Sequence, residues 1–357
     1  MKKHTKRNTS LTSLINLPTI RLKRYLMGLI LALICAVAFT VQEQHREIRP
    51  VDAGTPIELY ANQVDDDLAK TYSAAINEAQ KSILLLIYSL TDKKIIDCLK
   101  NQSKKGIDVK VVCDAKASPY ADAKLGDKIT LTRRLGPGLM HQKILVTDRE
   151  KVWIGSANMS SDSLRMHGNL VTALHSEALA GQIHAKAETL KVEGKGASFP
   201  NANFTIGGQL IELWFLPDNQ KAVQRLISLI KSAKKTIRVA MFTWTRQDLA
   251  QAVIEASKKG VDTEIVIDHY SGKGASTKIV RLLKKNGIKV SLSTGAPLLH
   301  HKFLYIDEKT LVNGSANWTK AAFTQNDDCF IVMHDLTEEQ NERMQALWKV
   351  ILKESAI

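Results

Sequence analysis

His300-His301-Lys302-Phe303-Leu304-Tyr305-Ile306-Asp307-Glu308-Lys309-Thr310-Leu311-Val312-Asn313-Gly314-Ser315-Ala316-Asn317 decides the reading of this chain, because residues 141–158 repeat its frame at identical spacing. Counted from each histidine, Lys143 and Lys302 fall at +2, Asp148 and Asp307 at +7, Gly155 and Gly314 at +14, Ser156 and Ser315 at +15, and Asn158 and Asn317 at +17. Lys143-Ile144-Leu145-Val146 and Lys302-Phe303-Leu304-Tyr305-Ile306 are dense in β-formers and predict strands. In a strand, residues two apart share a face, so each His/Lys pair points one way and His301 the other, where a structural role is expected. A second strand, Val152–Ile154 or Thr310–Val312, runs into Gly-Ser-Ala-Asn, where the glycine is expected to turn the chain and bring Asn158 or Asn317 back beside the pair.

An imidazole, a fixed cation, a hydroxyl and an amide suit a tetrahedral phosphate. The pattern H-x-K-x4-D-x6-G-S-x-N, present twice, resembles the HKD signature of the phospholipase D superfamily, and the resemblance extends over roughly residues 57–350. It implies an α/β fold of two tandem phospholipase D-like lobes, each a mixed β-sheet flanked by helices. The lobes would be related by pseudo-twofold symmetry and would present both motifs to one cleft.

The rest of the chain agrees with a duplication. Ile57-Glu58-Leu59 matches Ile211-Glu212-Leu213, Tyr88 matches Phe242, Ser103-Lys104-Lys105-Gly106 matches Ser257-Lys258-Lys259-Gly260, and Asp114 matches Asp268, all at an offset of 154. The histidines are offset by 159, so the second copy holds five more residues between Asp268 and His300, as a surface loop allows. Within the first copy we expect a strand at Ile57–Tyr60, a helix through Ala74–Ala79, a strand at Ile83–Tyr88, a helix near Lys93–Lys104 and a strand at Val109–Cys113. Met344, Leu347, Trp348 and Ile351 make a core-facing helical stripe. The expected organisation is a basic leader over 1–24, a transmembrane anchor or signal-peptide core over 25–41, lobe 1 over 57–193, a Gly/Asn/Pro-rich linker over 194–208 and lobe 2 over 209–353.

Composition sets further bounds. The 357 residues are 44% hydrophobic and 24% charged, which is ordinary for a globular protein of about two domains. Half of the +14 net charge comes from seven Lys and Arg before residue 42, leaving a mild positive bias suited to anionic lipid or polynucleotide. Tyr25–Val41 is an uncharged, mostly apolar run that predicts an N-terminal hydrophobic helix, with the remainder of the chain across the membrane from the leader or exported after cleavage. Cys98, Cys113 and Cys329 have neither disulfide nor zinc spacing and are expected to be buried. Arg133-Arg134 and Lys284-Lys285 are expected on a solvated charged surface, or along a polyanion path. Trp318 stands either to gate the cleft or to pack.

The resemblance implies roles for the motif residues. One histidine attacks phosphorus and the other protonates the departing alkoxide, while Lys143, Lys302, Ser156, Asn158, Ser315 and Asn317 hold the phosphate oxygens. Asp148 and Asp307 belong to the motif, although at +7 they fall at a strand end where holding the following turn is an equal alternative. In the superfamily a carboxylate or amide about eleven residues past the motif Asn contacts the histidine, which points to Asn169 for His141 and Asp328 for His300. On that pairing His300, beside a carboxylate, is the protonated acid, and His141, beside an amide, is the neutral nucleophile; the opposite order stays open. No cofactor and no metal is called for, since the lysines supply the positive charge. The expected partner is a membrane phospholipid, cleaved to phosphatidate or transferred to an alcohol, by a monomer with two half-sites. The alternatives are a metal-independent nuclease or nucleotide phosphodiesterase and, in another class, an inactive phospholipid-binding module.

Overall fold

Apolar strands alternating with amphipathic helices give two sheets with one shared strand order. In the first half the strands are β1 (Glu58–Ala61), β2 (Ser82–Ile87), β3 (Asp108–Asp114), β4 (Thr130–Arg134), β5 (Lys143–Thr147), β6 (Lys151–Gly155) and β7 (Leu170–His175). The second half holds β8 (Ala202–Ile206), β9 (Gln209–Leu216), β10 (Thr236–Met241), β11 (Asp262–Ile267), β12 (Lys289–Ser293), β13 (Lys302–Ile306), β14 (Thr310–Gly314), β15 (Asp328–Met333) and β16 (Ser355–Ala356). The computed structural model describes residues 27–28, 46–295 and 297–356. The expected hydrophobic helix at Tyr25–Val41 lies, but for Met27 and Gly28, outside them; among the described residues no helix is long and apolar enough to cross a membrane.

The first sheet runs β1-β7-β6-β5-β2-β3-β4, and the second runs β9-β15-β14-β13-β10-β11-β12 with β8 added beside β9 and β16 beside β12. In each, three parallel strands (β2-β3-β4 or β10-β11-β12) join an antiparallel meander. Helices Lys93–Lys104 and Gln247–Lys258 make the corresponding crossovers, with Ile95, Ile96 and Leu99 or Leu249, Val253 and Ile254 turned inward.

Alternate residues of the motif strands enter different cores. Ile144 and Val146 of β5 share a central cluster with Phe303 and Tyr305 of β13, so the two lobes pack sheet on sheet. Leu145 belongs to the outer core of lobe 1, and Leu304 and Ile306 to that of lobe 2. A strand buried on both faces must be apolar throughout, which is why the period of two is muted here. Met344, Leu347, Trp348 and Ile351 are buried in the central cluster, and Cys98, Cys113 and Cys329 are free and buried.

Two local expectations need correction. The supposed linker is partly a strand: Phe204 and Ile206 pack on the central core while Asn203 and Thr205 face solvent, and Gly207-Gly208, at φ +57° and +81°, turns β8 back onto β9. The motif glycines are not turn residues. A Cβ on Gly155 would lie 2.2 Å from Leu170 O, and one on Gly314 2.4 Å from Cys329 O, so these positions are glycine because a neighbouring backbone passes too close for a side chain.

Backbone cannot yield as a side-chain tip can. Gly314→Ala is therefore expected to cost about 3 kcal/mol or more, read as a fall in thermal midpoint; a midpoint equal to the parent's would contradict the close approach.

Candidate active site

Each motif strand places its lysine beside its own histidine. Lys143 Nζ donates to His141 O at 2.6 Å and lies 5.1 Å from the centre of the Tyr88 ring; Lys302 Nζ donates to His300 O at 2.7 Å and lies 4.8 Å from the Phe242 ring. The same two aromatics meet the histidines edge-on, each at 5.1 Å. Tyr88 and Phe242 match at the 154-residue offset, yet their alignment alone does not disclose that they support the lysines.

The segments entering the motifs are anchored by another matched pair. Asp114 accepts from Lys116 and Ala117 N–H on one oxygen and from Met140 N–H on the other; Asp268 does likewise with Tyr270, Ser271 and Leu299. Each carboxylate thus ties the end of a parallel strand to the residue just before the histidine.

The histidines take their partners from the opposite lobe. His141 Nδ1 bonds Asp328 Oδ1 at 2.7 Å, and His300 Nδ1 bonds Asn169 Oδ1 at 3.0 Å. This overturns the pairing expected within each copy. The cause is the way the lobes dock: Met140 bridges Asp327, and Leu299 bridges Gly168, so each histidine-bearing segment lies along the other lobe's Asx segment. The proton positions follow from the partners. The Asp328 carboxyl is held below its usual range by His141, Lys143 and Ser315 against the effect of burial, and as a carboxylate it only accepts. Asn169 Nδ2 is spent on Ser163 O and His167 O, which leaves Oδ1 to accept from His300. Both rings therefore carry Nδ1–H, and among the described residues no protein group takes Nε2 of either.

The serines differ from expectation. Ser156 Oγ donates to Asn169 Oδ1 at 2.8 Å and Ser315 Oγ to Asp328 Oδ1 at 2.6 Å, and both side chains are fully buried. They hold the groups that hold the histidines, rather than a phosphate oxygen. Asp148 and Asp307 stand apart from the site. Asp148 accepts from the N–H groups of Gln80, Lys81 and Ser82, and Asp307 from those of Lys234, Lys235 and Thr236, each at the positive-φ start of a tight hairpin turn. The catalytic part given to them is thereby replaced by a structural one: they bind β5–β6 to the start of β2 and β13–β14 to the start of β10.

The asparagines lie nearer the surface. Asn317 Oδ1 accepts Thr243 N–H at 3.2 Å, and Asn158 donates its backbone N–H to Ser163 while its Oδ1 is buried without a partner. A groove of about 490 Å³ reaches Asn317 and is lined also by Asp114, Lys116, Leu135 and Leu139. His301 takes the opposite face, as expected, bonded to Gln63 at 2.6 Å. Trp318 is buried edge-on to Trp244 at 4.5 Å. Arg134 departs from the solvated surface expected of it: it is 2% exposed and paired with Asp327.

Two lysines and two imidazoles thus share a buried space with one carboxylate. Burial brings the Lys143 amine down to about 7, and burial with Lys143 as neighbour pushes Lys302 well below the ordinary lysine value. His300 is pushed well below 6.5 by burial, Lys302 and Lys143. His141 is lowered by burial, against the pull of Asp328. A site so short of negative charge is built to receive an anion.

The family model described as "Cardiolipin synthase, PLD-like domain" matches residues 72–191 and 226–348, one match per lobe. The chain belongs to the phospholipase D superfamily. As such it is a phospholipase D-like phosphodiesterase, and its two matched domains are the two lobes. The mitochondrial cardiolipin hydrolase of Chlamydomonas reinhardtii is 27% identical over 48% of this chain and 86% of that protein. Its mouse namesake, 30% identical, is matched over only about half its length, 54%. Cardiolipin synthase B of Salmonella typhimurium is 22% identical over 81% of this chain and 79% of that protein. The solved phosphatidylserine synthase of Haemophilus influenzae covers 86% of this chain and 88% of its own at a TM-score of 0.67 and 13% identity, which shows the phospholipase D fold across both lobes.

Because Asp307 serves the scaffold, Asp307→Ala is expected to lower stability by about 2 kcal/mol while kcat/KM on a soluble phosphodiester stays within a factor of about three. A large loss of kcat at unchanged thermal midpoint would return Asp307 to the chemistry.

Proposed function

We propose that this chain cleaves, or transfers to an alcohol, the head group of a membrane phospholipid through a covalent phosphohistidine on His141. The observation that carries the reading is the crossed pair His141–Asp328 facing His300 and both lysines in one buried site. A carboxylate on Nδ1–H makes the far nitrogen of His141 the more basic and the more nucleophilic, and it stabilises the cation formed when that nitrogen bonds phosphorus. His300, beside a neutral amide, is the weaker base, so its conjugate acid gives up a proton more readily. His141 thus remains the proposed nucleophile, now because a carboxylate orients it.

In the first step His141 Nε2 forms a bond to phosphorus, the P–O bond to the head group breaks, and the departing alkoxide takes the proton from His300 Nε2. In the second, water or an alcohol attacks phosphorus, its proton passes to His300, and the P–N bond breaks to restore His141. Lys143 and Lys302 offset the charge that builds on the equatorial oxygens, with Asn158 and Asn317 as amide donors. His300 is neutral in the empty site; the arriving phosphodiester anion raises its affinity for a proton, so binding takes one up.

Phospholipid as the substrate is supported by the names of the similar proteins and by Leu135 and Leu139, which are 49% and 41% exposed and line the groove at Asn317. One chain holds both half-sites, which supports a monomer as the working unit. The apolar run at residues 25–41 supports a placement at or across a membrane.

The test presents the chain without residues 1–41 with phosphatidylcholine, phosphatidylglycerol, cardiolipin and single-stranded DNA in EDTA. Lipid turnover is expected, lost by about 1,000-fold or more in His141→Asn and His300→Asn. Turnover of DNA alone refutes the lipid assignment, and a requirement for divalent metal refutes the mechanism.

The depressed lysines also set a pH dependence. A lysine whose value is lowered holds its charge below that value and loses it above, so the Lys143 cation fades as pH rises through about 7. For bis(p-nitrophenyl) phosphate, whose own charge stays constant, kcat/KM is expected to fall on the alkaline side of neutrality; a flat profile would contradict cationic lysines as the anion site.

A further inference from the structure

Beyond the carboxylate of Asp328 on one ring and the amide of Asn169 on the other, the two half-sites differ by an ion pair. In each, the residue before the orienting side chain docks on the segment entering the other lobe's histidine. Asp327 N–H donates to Leu139 O and His141 N–H to Asp327 O, both at 2.8 Å; Gly168 N–H donates to Leu298 O and His300 N–H to Gly168 O, both at 2.9 Å. These contacts fix where Asp328 and Asn169 sit relative to the rings.

Gly168 carries no side chain to pair, and a Cβ there would lie 2.5 Å from Gln63 Oε1 and 3.0 Å from His301 Nε2, so it would have to displace the Gln63 side chain. At Asp327 the carboxylate instead meets the Nε and Nη2 of Arg134, both residues being buried. The same guanidinium donates from Nη1 to Lys191 O at 2.6 Å and from Nη2 to Gly194 O at 2.9 Å. One side chain at the end of β4 thereby joins lobe 1, the segment leading out of it and the backbone that receives His141. The position matching Arg134 at the 159-residue offset is Ser293, whose hydroxyl accepts His269 N–H. A buried ion pair carries a desolvation cost of several kcal/mol per ion that its attraction roughly offsets, so stability alone gives no reason for it at one half-site only.

We propose that the Arg134–Asp327 pair is a positioning device that holds the Asp327 backbone, and through it the Asp328–His141 bond, so that the difference between Asp328 and Asn169 is kept in register and the phosphoryl group is confined to His141. This rests on the covalent reading above.

The test compares the full chain with a double variant, Arg134→Met with Asp327→Leu, and with Asp327→Asn. Bis(p-nitrophenyl) phosphate turnover is quenched in alkaline denaturant, in which a P–N bond survives, and the modified histidine is located by mass spectrometry. The parent is expected to carry its adduct on His141. In the variants we expect kcat to fall about 10- to 100-fold with KM within a factor of about two, and the adduct to be shared between His141 and His300. Arg134→Lys, which keeps the charge but not the fork, is expected to recover part of kcat. Unchanged kcat and an adduct confined to His141 in either folded variant overturn the proposal. So does failure of both variants to fold, which makes the pair a structural support. A parent with no adduct on either ring, or with its adduct on His300, instead refutes the covalent reading, and the proposal falls with it.

Discussion

Everything in the site depends on a hydrogen bond that crosses between lobes: Asp328 of the second holding the imidazole of the first, with Asn169 of the first holding that of the second. A charge-assisted bond of this kind contributes about 1.5–3 kcal/mol, and here it also fixes tautomer and direction. Neither lobe holds a complete half-site. The sheet-on-sheet core built from Ile144, Val146, Phe303 and Tyr305 is therefore as necessary to the chemistry as the motif residues, since sliding one sheet against the other separates each ring from its partner.

The second constraint is charge. Burying Lys143, Lys302 and two imidazoles around one carboxylate leaves the empty site with its cations suppressed, and an anionic substrate restores them. Selectivity for a phosphodiester and readiness for catalysis arise from the same shortage of negative charge. The scaffold residues keep clear of it. Asp148 and Asp307 satisfy backbone N–H groups at the far ends of the motif strands, and Ser156 and Ser315 sit behind the orienting groups.

Much of this was legible in one sequence because it is written twice. The repeated frame located both histidines, both lysines and the strand-helix order that places them, and the family resemblance it carries pointed to the orienting pair Asn169 and Asp328. What was not legible depends on contacts far apart in the chain. Spacing of +28 finds Asp328 but cannot say that it faces His141, 187 residues away, rather than His300. Arg134 reads as one of two surface arginines because its partner lies 193 residues on. The motif glycines suggested turns because glycine permits them, whereas the reason is a neighbouring carbonyl at contact distance. Ala202–Ile206 and the Gly-Gly after it read as linker because one short strand shows too few periods to stand out.

The crossed pair is tested most directly by titrating the histidine ring nitrogens by NMR in the parent and in Asp328→Asn. The carboxylate raises His141 alone of the two rings, so its removal is predicted to lower the His141 pKa and leave that of His300 where it was. A shift at His300 with none at His141 would place Asp328 against the wrong ring and contradict the account.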